Sequence, residues 1–327
     1  MKRRYLVVFS LVMVVFLLAS MTPAFAQEPE AGKDLHFALL THELGSGFFA
    51  PHKVAVEDFA KRYGVTVDFM GPKIWDVNEH VNMIESLIAA GIDGIATTTP
   101  DSDAYDKIIQ QALDAGIPVV GHNNDDTTPN PRLAFVGQFD YPAGRTAGEQ
   151  AIMYAGGVDA VKGKKAVIFI CCPGFTALED RARGIKDVLK EAGMEVVGPV
   201  EYTADSTKVY GNIEATYLAN PDAAMLLSVD AFTEVLARFM MKNNLGDQVV
   251  AGGWDMLPAT MEGIQDGALK FTIGSNPYIT AYYALTNLYF KATKGIEPVS
   301  IDTGVVLVDS TNIDKYADVA KAEVAKE

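Results

Sequence analysis

The chain has 327 residues, and 42 acidic residues against 27 basic ones leave a formal charge of −15. A surface of that sign repels nucleic acid and anionic lipid, which disfavours both as partners. Only two cysteines are present, too few for a disulfide framework, so the core must hold the fold.

The first 26 residues read as a secretory signal peptide. Lys2, Arg3 and Arg4 precede an apolar run over 5–20, and Ala24 and Ala26 stand at the small-residue positions of an A-x-A cleavage site. The run is shorter than the roughly 20 residues of a membrane span, which argues against an uncleaved anchor. No cysteine follows it, so a lipoprotein is not indicated. Arg3-Arg4 raises a twin-arginine signal, but Lys2 before the pair favours ordinary export. Cleavage after Ala26 leaves 301 residues from Gln27 and takes the charge to −18, enough chain for two domains.

Short apolar runs then alternate with helical periods. Strands are expected at 35–40, 65–70, GIDGIATT, IPVVG and 133–137. Helices are expected between them. One ends at Gly64, a second carries Val81, Ile84 and Ile88 on one face, and a third carries Tyr105, Ile108, Ile109 and Ala112. The rhythm repeats with strands at 166–170, EVVGPV, 223–229, QVVAGG, 269–274 and 303–308, each but the last followed by a helical stretch. Alternation of this kind predicts right-handed β-α-β units. The nearly all-apolar strands predict parallel sheets covered on both faces. About ten strands divide near Gln138, so the expected fold is α/β with two doubly wound parallel-sheet domains. No second apolar run of membrane-spanning length follows.

In open α/β sheets the ligand lies beyond the carboxyl ends of the strands. The residues there are Ser46, Phe48 and Phe49, then His122 to Asp126, then CCPGFTALEDRARG. Asp230, Trp254, Asp255, Ser275 and Asn276 follow the later strands. Planar amides and carboxylates suit paired hydroxyls, and aromatic faces cover the C–H face of a sugar ring. Any one of these Asx residues is equally readable as a helix N-cap.

Other chemistries fare worse. Gly45–Ala50 matches G-x-G-x-x-A, but four residues separate it from the strand and two phenylalanines obstruct a pyrophosphate. Asp230 and Asp255 are readable as a glycosidase pair, with hydrogen bonding to a ligand preferred. His36, His42, His52, His80 and His122 have no metal-ligand spacing. His80 is expected on a helix surface and His122 as packing at a strand end. Adjacent Cys171 and Cys172 are expected at a strand end as packing residues, because a bridge between neighbours is strained.

Taken in order, the Phe-Phe pair, IIQQALDAGIPVVG, ALEDRARGI, NPDAAMLLSVDA, VVAGGWD, LKFTIGSNPY and the late DTG resemble type I periplasmic sugar-binding proteins of ABC transporters. These are the ribose/galactose-binding group, akin to the ligand-binding core of LacI-type repressors, and the likeness runs across 35–310. It implies a three-segment hinge near Gln138, Ser275 and Asp302–Gly304. The lobes are then 27–138 plus 276–303, and 139–275 plus 304–327.

The resemblance places Phe48 and Phe49 at sugar-stacking positions and Ser46 where ribose binders often have Asn. It sets Asn123 and Asn124 at a binding Asp-Arg pair and Glu179, with Arg181 two residues on, at a sugar-binding Arg. Asp230, Asp255 and Ser275 or Asn276 match later polar positions, and Trp254 is expected against the ring. The departures at Asn123, Asn124 and Glu179 argue against ribose itself. The implied protein is a non-enzymatic periplasmic monomer without cofactor or metal. It takes a monosaccharide or sugar alcohol and docks on a membrane permease. An autoinducer-type furanose, presentation to a chemoreceptor and a periplasmic glycosidase are the alternatives.

Overall fold

The computed structural model describes residues 34–45, 47–100, 104–126, 130–172, 174–202 and 206–316. The signal peptide and Ser46 lie outside them. In chain order the first part runs β1 (His36–Leu40), α1 (Ala50–Tyr63), β2 (Thr66–Met70), α2 (Val77–Ala90), β3 (Gly94–Thr97), α3 (Asp106–Asp114), β4 (Val119–His122) and β5 (Ala134–Gly137). The second runs α4 (Asp140–Tyr154), α5 (Val158–Val161), β6 (Lys165–Cys171), α6 (Thr176–Glu191), β7 (Glu195–Tyr202), α7 (Ser206–Ala219), β8 (Ala223–Ser228), α8 (Thr233–Lys242), β9 (Val250–Trp254), α9 (Pro258–Gln265) and β10 (Phe271–Gly274). Then come α10 (Pro277–Lys294), β11 (Ile301–Asp302) and β12 (Val306–Asp309).

Two six-stranded sheets result, ordered β11-β5-β4-β3-β1-β2 and β12-β10-β9-β8-β6-β7. The first alternates its burial between two helical layers. Phe37, Leu39, Val120 and Val136 pack under α1 and α10, with Phe59 and Leu285. Ala38, Leu40, Ile95 and Val119 pack under α2 and α3, with Ile84 and Ile109. Successive strand side chains point to opposite faces, so one apolar run serves both layers. A single larger core fills the second lobe.

Local signals start and stop the helices. The Asp76 carboxylate caps α2 by accepting from Glu79 N–H at 3.0 Å. Gly91 ends that helix at φ +69, a conformation that strains any residue with a Cβ.

Three sequence expectations need correction. His80 is not on a surface. The buried face of α2 is His80, Ile84 and Leu87, with Val81 and Ile88 on its flanks. The His80 imidazole is satisfied there by the Tyr105 hydroxyl at 2.8 Å and Thr97 Oγ1 at 3.4 Å. The described strands number twelve, because the two-residue β11 is too short to leave a periodic signal. The second sheet is not wholly parallel, since β12 runs antiparallel to β10 with Ile273 opposite Leu307. Between those strands the chain visits the first lobe through α10 and β11, so no β-α-β crossover dictates the direction.

Candidate functional site

The carboxyl ends of both sheets face one cleft, and direct contacts hold it shut. The Phe175 ring of the second lobe lies 5.6 Å from His42 and 5.3 Å from Trp75 of the first. Thr176, the first residue of α6, donates its backbone N–H to Pro100 O at 3.4 Å and its hydroxyl to Asp125 O. His42 also meets Phe49 edge-on at 5.0 Å, and Phe49 meets Phe48 at 5.1 Å. Phe48 and Phe49 sit in a single 3-10 turn, Gly47–Phe49, that leads into α1.

The second lobe supplies the cleft with charge. Arg181, from α6, donates Nε to Asp140 Oδ1 at 2.7 Å and Nη1 to Val229 O at 3.1 Å. Its guanidinium lies 5.1 Å from the Trp254 ring centroid. Two glycines allow this placement. A Cβ at Gly144 of α4 would fall 2.2 Å from the Arg181 carbonyl oxygen, and one at Gly184 of α6 would fall 2.4 Å from Tyr141 O. Burial pushes the Asp140 carboxyl up to about 6 in spite of its arginine partner.

Asp255 behaves differently from the other carboxylates. It leaves β9 at φ +67, and its N–H is tied to Ile273 O at 2.8 Å. Its side chain has no hydrogen-bond partner among the described residues. Burial pushes the acid up to about 6. Arg181 acts against that push, and Asp230 and Asp140 add to it. Four polar atoms at strand ends are wholly buried without a partner among the described residues: His42 Nδ1 after β1, Thr98 Oγ1 after β3, His122 Nδ1 at the end of β4 and Ser275 Oγ after β10. Groups in that state are costly unless something hydrogen-bonds to them.

The other expected residues fall in varied surroundings. Asn123 and Asn124 are buried after β4, Asn123 at φ +61 with its N–H on Val136 O. Asp125 beside them is bidentate to Arg132. Asp230 is saturated. It accepts from Cys171 N–H at 2.7 Å, Tyr202 O–H at 2.8 Å, Phe232 N–H at 2.9 Å and Ser228 O–H at 3.4 Å. It therefore ties the ends of β6, β7 and β8 together.

Trp254 is fully buried. Its indole N–H donates to Gln138 Oε1 at 2.9 Å, and Gln138 Nε2 donates to Gly274 O and Gly304 O at 3.2 and 3.1 Å. This one amide bonds all three chain segments that pass between the lobes. Asn276, at φ +52, donates to Thr303 O at 3.0 Å in the same region. Glu179 accepts from Gly174 N–H at the start of α6.

Sequence reasoning missed His42, Trp75, Thr98, Asp140 and Phe175 as parts of this arrangement. Their places just after β1 and β3 are the signal by which His42 and Thr98 are found. Nothing local marked Phe175 or Asp140. No group of three or more His, Cys, Asp or Glu among the described residues has a metal-holding arrangement.

Known proteins resemble the chain in sequence and in fold. The chain is 28% identical to the xylose/arabinose-binding protein XylF of Sulfolobus acidocaldarius, over 85% of this chain and 71% of that protein. It is 24% identical to the D-ribose/D-allose-binding protein of Pseudomonas aeruginosa, over 78% and 81%. A carbohydrate transporter solute-binding protein of Agrobacterium radiobacter, solved with D-arabinose, superposes with a TM-score of 0.80 at 20% identity, over 89% of this chain and 99% of that one. Residues 37–295 match the model of the periplasmic binding protein domain, and the chain belongs to that family.

Proposed function

We propose that this protein is the solute-binding component of an ABC importer. It is exported to the periplasm and captures a monosaccharide or sugar alcohol between its lobes. It then delivers the solute, chemically unchanged, to a membrane permease. The observation that carries this is the buried, unpartnered Asp255 carboxylate in the closed cleft. His42 Nδ1, Thr98 Oγ1 and Ser275 Oγ lie unpartnered at neighbouring strand ends. A polyhydroxylated guest answers all four, donating to the carboxylate and exchanging hydrogen bonds with the others. The Phe49 ring supplies the apolar face such a guest needs.

The lobes are taken as 27–138 plus 276–303 and 139–275 plus 304–327, with Gln138 at the hinge. Ligand bridging both lobes stabilises the shut form. The sugar specificities of the relatives named above favour pentoses as the first candidates.

Thermal shift with a panel of pentoses, hexoses and inositols tests the reading. A ligand at 100 times its Kd adds about 2.7 kcal/mol to stability. No shift with any neutral sugar or polyol removes the proposal. Recovery of the sugar as a different compound replaces it with an enzyme.

A further inference from the structure

Cys171 and Cys172 stand where the cleft floor meets the closing loop, and sugar capture gives them no part. Cys171 is the last residue of β6 and is buried, while Cys172 is half-buried, and both are free thiols. Along a strand, successive side chains point to opposite faces, which would part the two sulfurs. Cys172 leaves the strand at φ +52, which breaks that alternation, and the two side chains are in hydrogen-bond contact. The pair is wired in two directions. Cys171 N–H donates to Asp230 Oδ2 at 2.7 Å, and the Cys172 carbonyl accepts from Phe175 N–H at 3.1 Å. Phe175 is the ring that closes on His42 and Trp75.

We propose that Cys171 and Cys172 form a thiol–disulfide exchange site, closed to a vicinal disulfide by a protein or low-molecular-weight disulfide, and that closure unseats Phe175. The inference rests on the export and cleft assignments above, because an oxidising compartment is what makes the exchange relevant. Cys172 is the more accessible thiol, and its thiolate attacks one sulfur of the external disulfide and expels the first thiolate. Cys171 then gives up its proton and attacks the Cys172 sulfur, expelling the second. Two electrons pass from the pair to the external disulfide, and two protons leave with the two thiols formed.

Two features make the bridge reversible instead of a permanent staple. Neighbouring Cα atoms are about 3.8 Å apart, short of the roughly 4.4–6.8 Å usual for bridged cysteines. A bridge strained in this way is readily reduced. The Cys172 contact, burial and the Asp230 carboxylate also hold the Cys171 thiol protonated, which favours the open dithiol. Ring closure resets the torsion at Cys172, and the Cys172 carbonyl that receives Phe175 N–H moves with it.

The test equilibrates the full mature chain in buffers of varied reduced to oxidised glutathione, blocks free thiols with N-ethylmaleimide, and weighs the intact protein. The expected product at the oxidising end carries no label and is about 2 Da lighter than the dithiol. A Trp75→Phe variant, which leaves Trp254 as the remaining tryptophan, assigns an emission change on oxidation to Trp75 beside Phe175 when the variant loses it. A shift to longer wavelength is expected, with D-arabinose or D-xylose bound roughly threefold or more weakly. Cys172→Ser is expected to show the same emission in both buffers.

Two labelled thiols per chain at every buffer ratio overturn the proposal. So does a bridge that forms without changing emission. If neither sugar binds in either state, the sugar reading fails by itself, and mass and emission still decide the thiol site.

Discussion

At the level of single residues, the cleft separates carboxylates that are already occupied from one that is not. Asp125 has Arg132, Asp140 has Arg181, and Asp230 has four donors. Asp255 has none among the described residues. Asp255→Asn keeps the shape and removes the charge, so isothermal titration with the sugar identified by thermal shift should show about 1.5–3 kcal/mol less affinity, the scale of a hydrogen bond to a charged group. Unchanged affinity would place the ligand elsewhere. Phe49→Ala should lose about 1–3 kcal/mol of binding. Arg181→Ala acts on the fold as well. It leaves Asp140 buried and unpaired, and breaking such a pair costs about 3–5 kcal/mol, measurable by urea denaturation. Sequence position alone assigned Asp230 and Asp255 the same role. They differ because Tyr202, at the end of a neighbouring strand, uses up Asp230.

Among the elements, the close crossing of α4 and α6 sets the geometry of the charged floor. Both helices were legible from the alternation of strand-like and helical stretches, but their separation was not. Gly144 and Gly184 let the two backbones approach until side-chain atoms would overlap. Gly144→Ala should destabilise the protein by about 1–3 kcal/mol, as overpacking does. It should also weaken sugar binding, because the Cβ would push against the backbone that carries Arg181. A melting temperature and a Kd both equal to the parent values would show that the crossing has slack. Phe175, just before α6, is the matching feature at the cleft mouth. Its role was not visible locally, since Trp75 and His42 lie a hundred residues or more before Phe175 in the chain.

Across the whole molecule, titration of buried groups couples pH to stability. Burial holds four histidines of the first lobe neutral: His42 and His80 down to about 3, His122 to about 4, and His52 well below its usual value. Unfolded, each takes a proton near pH 6.5. The stability they contribute is present above pH 6.5 and is lost as pH falls toward their folded values. Asp140 and Asp255, raised to about 6, work in the other direction. Their contribution is present at low pH and is lost as pH rises through 6. Between pH 6 and 4 each buried histidine adds about one proton of uptake on unfolding, or roughly 1.4 kcal/mol per pH unit lost on acidification, and the raised carboxyls, Glu43, Asp125 and Asp230 among them, offset part of that loss. Urea denaturation at pH 7, 6, 5 and 4 checks the slope. His52→Leu should lower it by about one proton at no cost in stability, because neither ring nitrogen of His52 has a partner. A flat profile would show that the histidines are hydrated in solution.

From sequence alone came the class of most elements, the two sheets and the expectation that a ligand lies beyond the strand ends. These depend on local periodicity and on the handedness of β-α-β units, which act over a few tens of residues. Tertiary structure decided the rest. It buried His80, which satisfies its ring against Tyr105 and Thr97. It turned β12 antiparallel, because the chain returns there from the other lobe. It gave the Trp254 indole and the Asp230 carboxylate partners within the protein and left Asp255 and His42 Nδ1 with none among the described residues. A side chain's hydrogen bonds depend on which distant backbone arrives beside it, and no local pattern in the chain encodes that arrival.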